Sequence, residues 1–183
     1  KKAWKVEAAG KITEFGEIPV FSLSDMYAGG AKGTDVAEFI SERETEMIDW
    51  FRRTLAEIGY KGLLSNFNMG KSLRHALVRR SCDLVTMNSY HALPSHYNQS
   101  GSTIMQESSI GDAGNQIRGI LANRLYGKPF LVTEHGHAFW NRYRYEQAFI
   151  TGAYGAFQGF DGLTAFAQPV SVQTTSFINP FNI

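Results

Sequence analysis

Short apolar runs alternate with helical stretches from residue 61 onward, and this alternation constrains the fold more than any other feature of the chain. Strands are expected near 62–66, 83–88, 129–134 and 162–167, with helices at 72–80, 112–126 and 143–158 between them. Strands that alternate with helices point to βαβ units and a parallel sheet. The runs are short and continuously apolar, as expected of strands covered by helices. A longer helix precedes them: Thr34 or Asp35 can cap it, and Val36, Phe39, Ile40, Met47, Ile48, Phe51, Leu55 and Ile58 recur at helical spacing. Gly59 is placed to end that helix as its C′ residue. Residues 1–33 read as irregular, with one strand expected over Ile18–Leu23.

Each expected strand ends in side chains able to react or to hydrogen-bond. Asn66 and Asn68 close the first, Asn88, Tyr90 and His91 the second, and Glu134 and His135 the third. In a (β/α)₈ barrel, chemistry is built on the loops that follow the strands. A doubly wound sheet would also place a ligand there, but no Gly-x-Gly-x-x-Gly or phosphate-binding Gly-rich loop follows any strand, which removes the main support for nucleotide binding. A polar loop of roughly twenty residues follows the second strand, longer than an ordinary connection.

Composition narrows the function by exclusion. The 183 residues carry a formal charge of +1 with both signs interspersed, so no basic stripe argues for nucleic acid. No apolar stretch is long enough to cross a membrane, and Lys1-Lys2-Ala3-Trp4 lacks the apolar region of a signal peptide. A secreted or periplasmic compartment is the expectation, with the cytoplasm as the alternative. Cys82 is the single cysteine and reads as a small buried hydrophobe. Aromatic residues make up 13%, and Tyr90, Tyr97, Phe139, Trp140, Tyr143 and Tyr145 stand in polar settings that suit the faces of sugar rings.

The segment Phe130-Leu-Val-Thr-Glu134-His-Gly resembles the seventh strand of the clan A glycoside hydrolases. Arg142-Tyr-Arg-Tyr-Glu146 and the run Ala153 to Gly162 are similar to the segment joining strands seven and eight in bacterial members of that clan. Upstream, Ile58 to Asn66 resembles the approach to strand five, and Cys82 to His91 resembles strand six with its tip. The resemblance spans about residues 35–168. It implies an α/β fold, a partial (β/α)₈ barrel holding strands five to eight with their helices. The expected domains are an irregular segment at 1–33 following strand four, a partial barrel at 34–168 and an extension leaving the barrel at 169–183.

The resemblance implies a retaining glycosidase acting on a poly- or oligosaccharide without a cofactor, with Glu134 as nucleophile. Such cleavage needs one carboxylate beneath the anomeric carbon and a protonated second one about 5–5.5 Å away. Tyr90 or His91, on the neighbouring strand tip, is expected to hydrogen-bond Glu134 and aim it. Asn66, Asn88, Tyr90, His91, His135 and Trp140 are the expected substrate-binding residues, Trp140 as a platform for a sugar ring. The clan's acid/base glutamate follows an asparagine at the end of strand four, and this sequence contains no Asn-Glu pair. That glutamate is expected from the remaining N-terminal half of the barrel, because four strands cannot close an eight-stranded barrel. The isolated chain is therefore expected to be inactive.

His135 and His137 flank Gly136 and, with His91, invite a metal reading. No further Cys, His or Asp cluster completes a shell, so no metal is expected. Arg142 and Arg144 open a helix against its dipole, and Glu146 or solvent is their expected partner. A non-catalytic carbohydrate-binding or truncated barrel fragment is the rival reading, favoured by the missing acid/base.

Overall fold

The computed structural model describes residues 21–96, 99–138 and 140–166. The chain divides after Tyr60 into two compact units.

In the first unit, Ser22 is extended at the start of α1 (Leu23–Tyr27), and its N–H donates to Asp25 Oδ2 at 2.7 Å. Lys32 reaches back to Asp25 at 2.9 Å. The Ser22 N–H and the Lys32 ammonium hold the Asp25 carboxyl below the usual carboxylate range. Of the strand expected over Ile18–Leu23, residues 18–20 lie outside the described residues, and Leu23 opens a helix. Residues 21–33 are thus not irregular, because α1 lies there and α2 (Gly30–Glu57) begins four and five residues ahead of the expected caps Thr34 and Asp35. A Cβ on Gly33 would meet the Asp25 carbonyl at 3.1 Å, a tight contact that any larger residue could make only by moving the two helices apart by a few tenths of an ångström. Gly59, at φ 84°, ends α2 as expected. Its N–H bonds the Ala56 carbonyl at 3.0 Å, and that of Tyr60 bonds the Leu55 carbonyl at 2.9 Å. That pair of bonds is a Schellman cap.

The second unit is α/β. Its sheet has three strands in the order β1 (Val85–His91), β2 (Phe130–His137) and β3 (Gly162–Ala165), all parallel. Three of the four expected strands therefore form, adjacent and in chain order. The fourth, at 62–66, does not. Its backbone carbonyl at Leu64 accepts from the Asp83 N–H at 2.8 Å, but the Leu64 N–H finds a side chain, Asp83 Oδ2, at 2.8 Å. Phe67 then turns to φ 63°, and the ladder cannot propagate.

The helices are α3 (Leu73–Arg79), α4 (Asn115–Leu121) and α5 (Gln147–Gln158), the last entered through a 3₁₀ turn at Arg144–Glu146. Ser72 caps α3 by accepting from the His75 N–H. Helix α4 is half the length expected at 112–126. Ala113 and Gly114 both have positive φ, which bars an earlier start, and after Leu121 the chain closes three-residue turns. Gly159, at φ 61°, caps α5.

Val85 and Met87 of β1 and Phe130 and Val132 of β2 meet Ile117 and Ile120 of α4 in one buried cluster. Each large apolar side chain buried there contributes about 1.5–3 kcal/mol. Leu125, Tyr154 of α5 and Phe160 pack on its border. The opposite face of the strands carries Asn88, Tyr90 and Leu131, each half-buried. Arg79 is buried, donating to Asn123 Oδ1 at 2.7 Å and to the Gly70 and Met69 carbonyls at 3.0 and 2.6 Å. The outer stripe of α5 is Ala148, Phe149, Gly152, Ala153, Ala156 and Phe157, and its two phenylalanines are 71% and 85% exposed.

Candidate active site at the strand tips

The register of β1 and β2 contains an irregularity that sets the site. Met87 pairs with Val132, but Asn88 pairs with Glu134, so Thr133 is an extra residue on β2. On the far side, β3 shows the same break between Val132 and His135. Without a bulge, side chains alternate strictly between faces. Val132 lies in the helix-side core, so Glu134 would follow it to that side. The bulge shifts the phase by one residue. Thr133 and Glu134 both then reach the face of Asn88 and Tyr90: Thr133 Oγ1 donates to Asn88 Oδ1 at 2.9 Å, and the Tyr90 hydroxyl donates to Glu134 Oε2.

Glu134 is half-buried, and its second oxygen takes no hydrogen bond among the described residues. A carboxylate fixed through one oxygen and open at the other is aimed as a nucleophile or a base needs to be. Phe166, just past β3, meets the Tyr90 ring edge-on at 6.2 Å between centroids. Of the two residues expected to bond Glu134, it is Tyr90 that does so.

His91 and His135 do not join this face, because each directly neighbours a residue that does and the strand period is two. His91 is 4% exposed, with Nε2 2.9 Å from the Glu107 carbonyl. His135 is buried, with Nδ1 3.4 Å from Gln147 Nε2 of α5, and burial lowers its pKa. His137 lies with them, its ring centroid 4.9 Å from that of His91 and its Nε2 3.3 Å from Gln116 Nε2. Burial first, and then the His91 ring, lower its pKa to about 4. No group of three His, Cys, Asp or Glu suited to a metal occurs among the described residues. Asn66 ends no strand, since none forms at 62–66; its Nδ2 is buried and takes no acceptor among the described residues. Trp140 is 63% exposed, at φ 76°, on the loop after β2.

That loop is tied to the long loop after β1 by three side chains. Gln106 donates to the Trp140 carbonyl at 2.8 Å and accepts from the Arg142 N–H at 3.0 Å. Asn141 donates to the Met105 and Glu107 carbonyls, both at 3.0 Å. Buried Glu146 accepts from the Ser108 and Ser109 hydroxyls at 2.8 and 3.1 Å and from the Ile110 N–H at 2.9 Å. Desolvation alone would raise the Glu146 pKa, but these donors outweigh it and hold the carboxyl below its usual range. Glu146 is therefore not the partner expected for the arginines, and Arg144 Nε donates instead to the His137 carbonyl at 3.2 Å. The one signal for this clasp in the sequence is the length and polarity of the loop between His91 and Asp112.

Comparison with known protein families, with curated proteins and with solved structures gives no match for this chain. No helix among the described residues is long and apolar enough to cross a membrane.

Proposed function

We propose that this chain forms the C-terminal half of a (β/α)₈-barrel retaining glycoside hydrolase, with Glu134 as the nucleophile towards a poly- or oligosaccharide. The observation that carries the reading is the hydrogen bond from Tyr90 to Glu134, made between the C-terminal tips of adjacent parallel strands. A barrel places its chemistry at those tips. Helices α4 and α5 cover one face of the sheet, while the face bearing Glu134 is polar and half-buried, as the mouth of a barrel would be. The apolar outer stripe of α5 lies beside β3, an edge strand among the described residues, and a further βα unit would cover both.

In this reading Glu134 attacks the anomeric carbon, Tyr90 steadies the carboxylate, and Asn88 and Thr133 fix the bulge beneath them. The protonated acid/base comes from the N-terminal half, and water then hydrolyses the glycosyl-enzyme bond. The test is Glu134→Ala in the polypeptide carrying the complete barrel. Turnover should fall by several orders of magnitude, and azide should restore part of it with inversion at the anomeric centre. Near-normal turnover in that variant ends the assignment.

The absence of an Asn-Glu pair favours one rival, a carbohydrate-binding fragment without catalysis. It requires sugar binding by the chain and no hydrolysis after the N-terminal half is supplied.

A further inference from the structure

A cavity of about 370 Å³ opens between the tip of β1 and helix α4, and Glu134 is not among the residues that line it. Its volume lies within the roughly 300–1,000 Å³ of small-molecule sites. Lys71, Glu107, Asp112 and Asn115 supply its polar wall, and Tyr90 and Met105 supply aromatic and aliphatic surface.

Three charged groups face this hollow without neutralising one another. Lys71 and Glu107 make no side-chain hydrogen bond or ion pair among the described residues. Asp112 uses only Oδ1, which accepts from the Asn115 N–H at 3.1 Å. A second observation concerns Lys71. Its Nζ lies 2.9 Å from where a Cβ on Gly119 would stand. Glycine inside a helix costs roughly 0.5–1 kcal/mol relative to alanine, and at this point of α4 it leaves room for the ammonium over the helix.

The donor set selects the ligand. Two carboxylates can only accept, an ammonium can only donate, and the Asn115 amide does both. A ligand that meets all of them at once must donate and accept at several neighbouring positions, as vicinal hydroxyls do. One cationic group against two anionic ones disfavours phosphates and carboxylates. The Tyr90 ring and Met105 suit the C–H face of a ring that bears those hydroxyls. We infer that this cavity is a binding site for a neutral monosaccharide unit, separate from the Glu134 face and sharing only Tyr90 with it. The site does not depend on Glu134 being a nucleophile.

The experiment is calorimetric titration of the 183-residue chain with glucose, galactose, mannose and xylose, with free lysine and inorganic phosphate as controls. At least one sugar should bind saturably, with Kd on the order of 1 mM. Lys71→Met and Glu107→Gln should each weaken that binding about fivefold or more. Gly119→Ala should weaken it too while leaving the melting temperature unchanged or higher, which a purely structural glycine would not do. Glu134→Gln should leave the affinity unaltered. The inference is overturned if a cooperatively melting chain binds none of the four sugars, or if lysine or phosphate binds in their place. It is equally overturned if Glu134→Gln abolishes sugar binding while Lys71→Met does not, an outcome that would leave the glycosidase proposal standing.

Discussion

Thr133 donates a hydrogen bond to Asn88 across the β1–β2 ladder, although Asn88 is registered opposite Glu134. The bulge is thus pinned by its own extra residue. Deleting Thr133 should restore strict alternation with Glu134 directly after Val132 and opposite Asn88, so the carboxylate stays on the face of Asn88 and Tyr90. Urea unfolding should show the deletion to cost only about 1 kcal/mol, from the lost hydrogen bond between Thr133 and Asn88. Thr133→Val keeps the bulge and loses one hydrogen bond, so it should cost only about 1 kcal/mol. A loss several times larger in the deletion than in Thr133→Val would mean that Glu134 has left that face.

Tyr90→Phe removes the hydroxyl that holds Glu134 and keeps the ring against Phe166. In the complete enzyme, kcat should fall about 10–100-fold with little change in KM, because the lost bond positions a reacting group. Stability should change by less than about 1 kcal/mol. An unchanged kcat would remove Tyr90 from the mechanism.

Glu146 makes the clasp between the two loops sensitive to acid. Its carboxyl titrates below the ordinary value of 4.5 in the folded chain. The unfolded chain therefore binds the proton first, and the stability due to Glu146 is present above that pH and lost as pH falls below it. Glu146→Gln should abolish this part of the acid slope in thermal melts as pH falls below 4.5. At neutral pH the same variant should cost about 1–3 kcal/mol, since an amide replaces a carboxylate that accepts from three residues. A melting profile parallel to that of the unaltered chain would show that the donors to Glu146 contribute nothing.

His137 acts in a higher window. Its folded pKa of about 4, against an ordinary 6.5, means that the neutral ring is the folded form. Stability due to that neutral ring is complete above pH 6.5, declines as pH drops, and is gone below about 4. His137→Phe keeps a buried ring beside His91 and cannot take a proton, so the variant should lose the share of the pH dependence between 6.5 and 4 that His137 carries, leaving the shares of His135 and Glu146. A slope in that window equal to the parent's would place the titrating group elsewhere.

The legible parts of this molecule are those that apolar periodicity controls. Phe130-Leu-Val and Leu84-Val marked two strands because both runs are buried under helices, and Gly59 marked the end of α2 because only a left-handed residue closes a Schellman cap. Glu134 and Tyr90 were visible as polar groups at the ends of those runs. The bulge was not, since Thr-Glu-His-Gly-His offers no contrast between apolar and polar positions from which a phase shift could be read. The two histidines were assigned to the site for the same reason. Residues 62–66 looked like a strand, but the acceptor for the Leu64 N–H is the Asp83 side chain, a tertiary fact that no local pattern encodes. Helix α4 was drawn too long because alanine, a strong helix former, adopts positive φ at 113.

The clasp has a consequence for how this surface can vary. Ser95 and Thr103 close the outer part of the long loop on itself through a 2.9 Å backbone hydrogen bond. From Met105 to Ile110, by contrast, nearly every residue offers a backbone or side-chain atom to Asn141, Arg142 or Glu146. Lengthening the outer part costs only chain-closure entropy, about 0.6 kcal/mol for each doubling. One residue added between 105 and 110 would instead put three side chains out of step together. New recognition features can thus be grafted at the distal turn without disturbing the strand tips, so the loop provides both a fixed hinge and a free end.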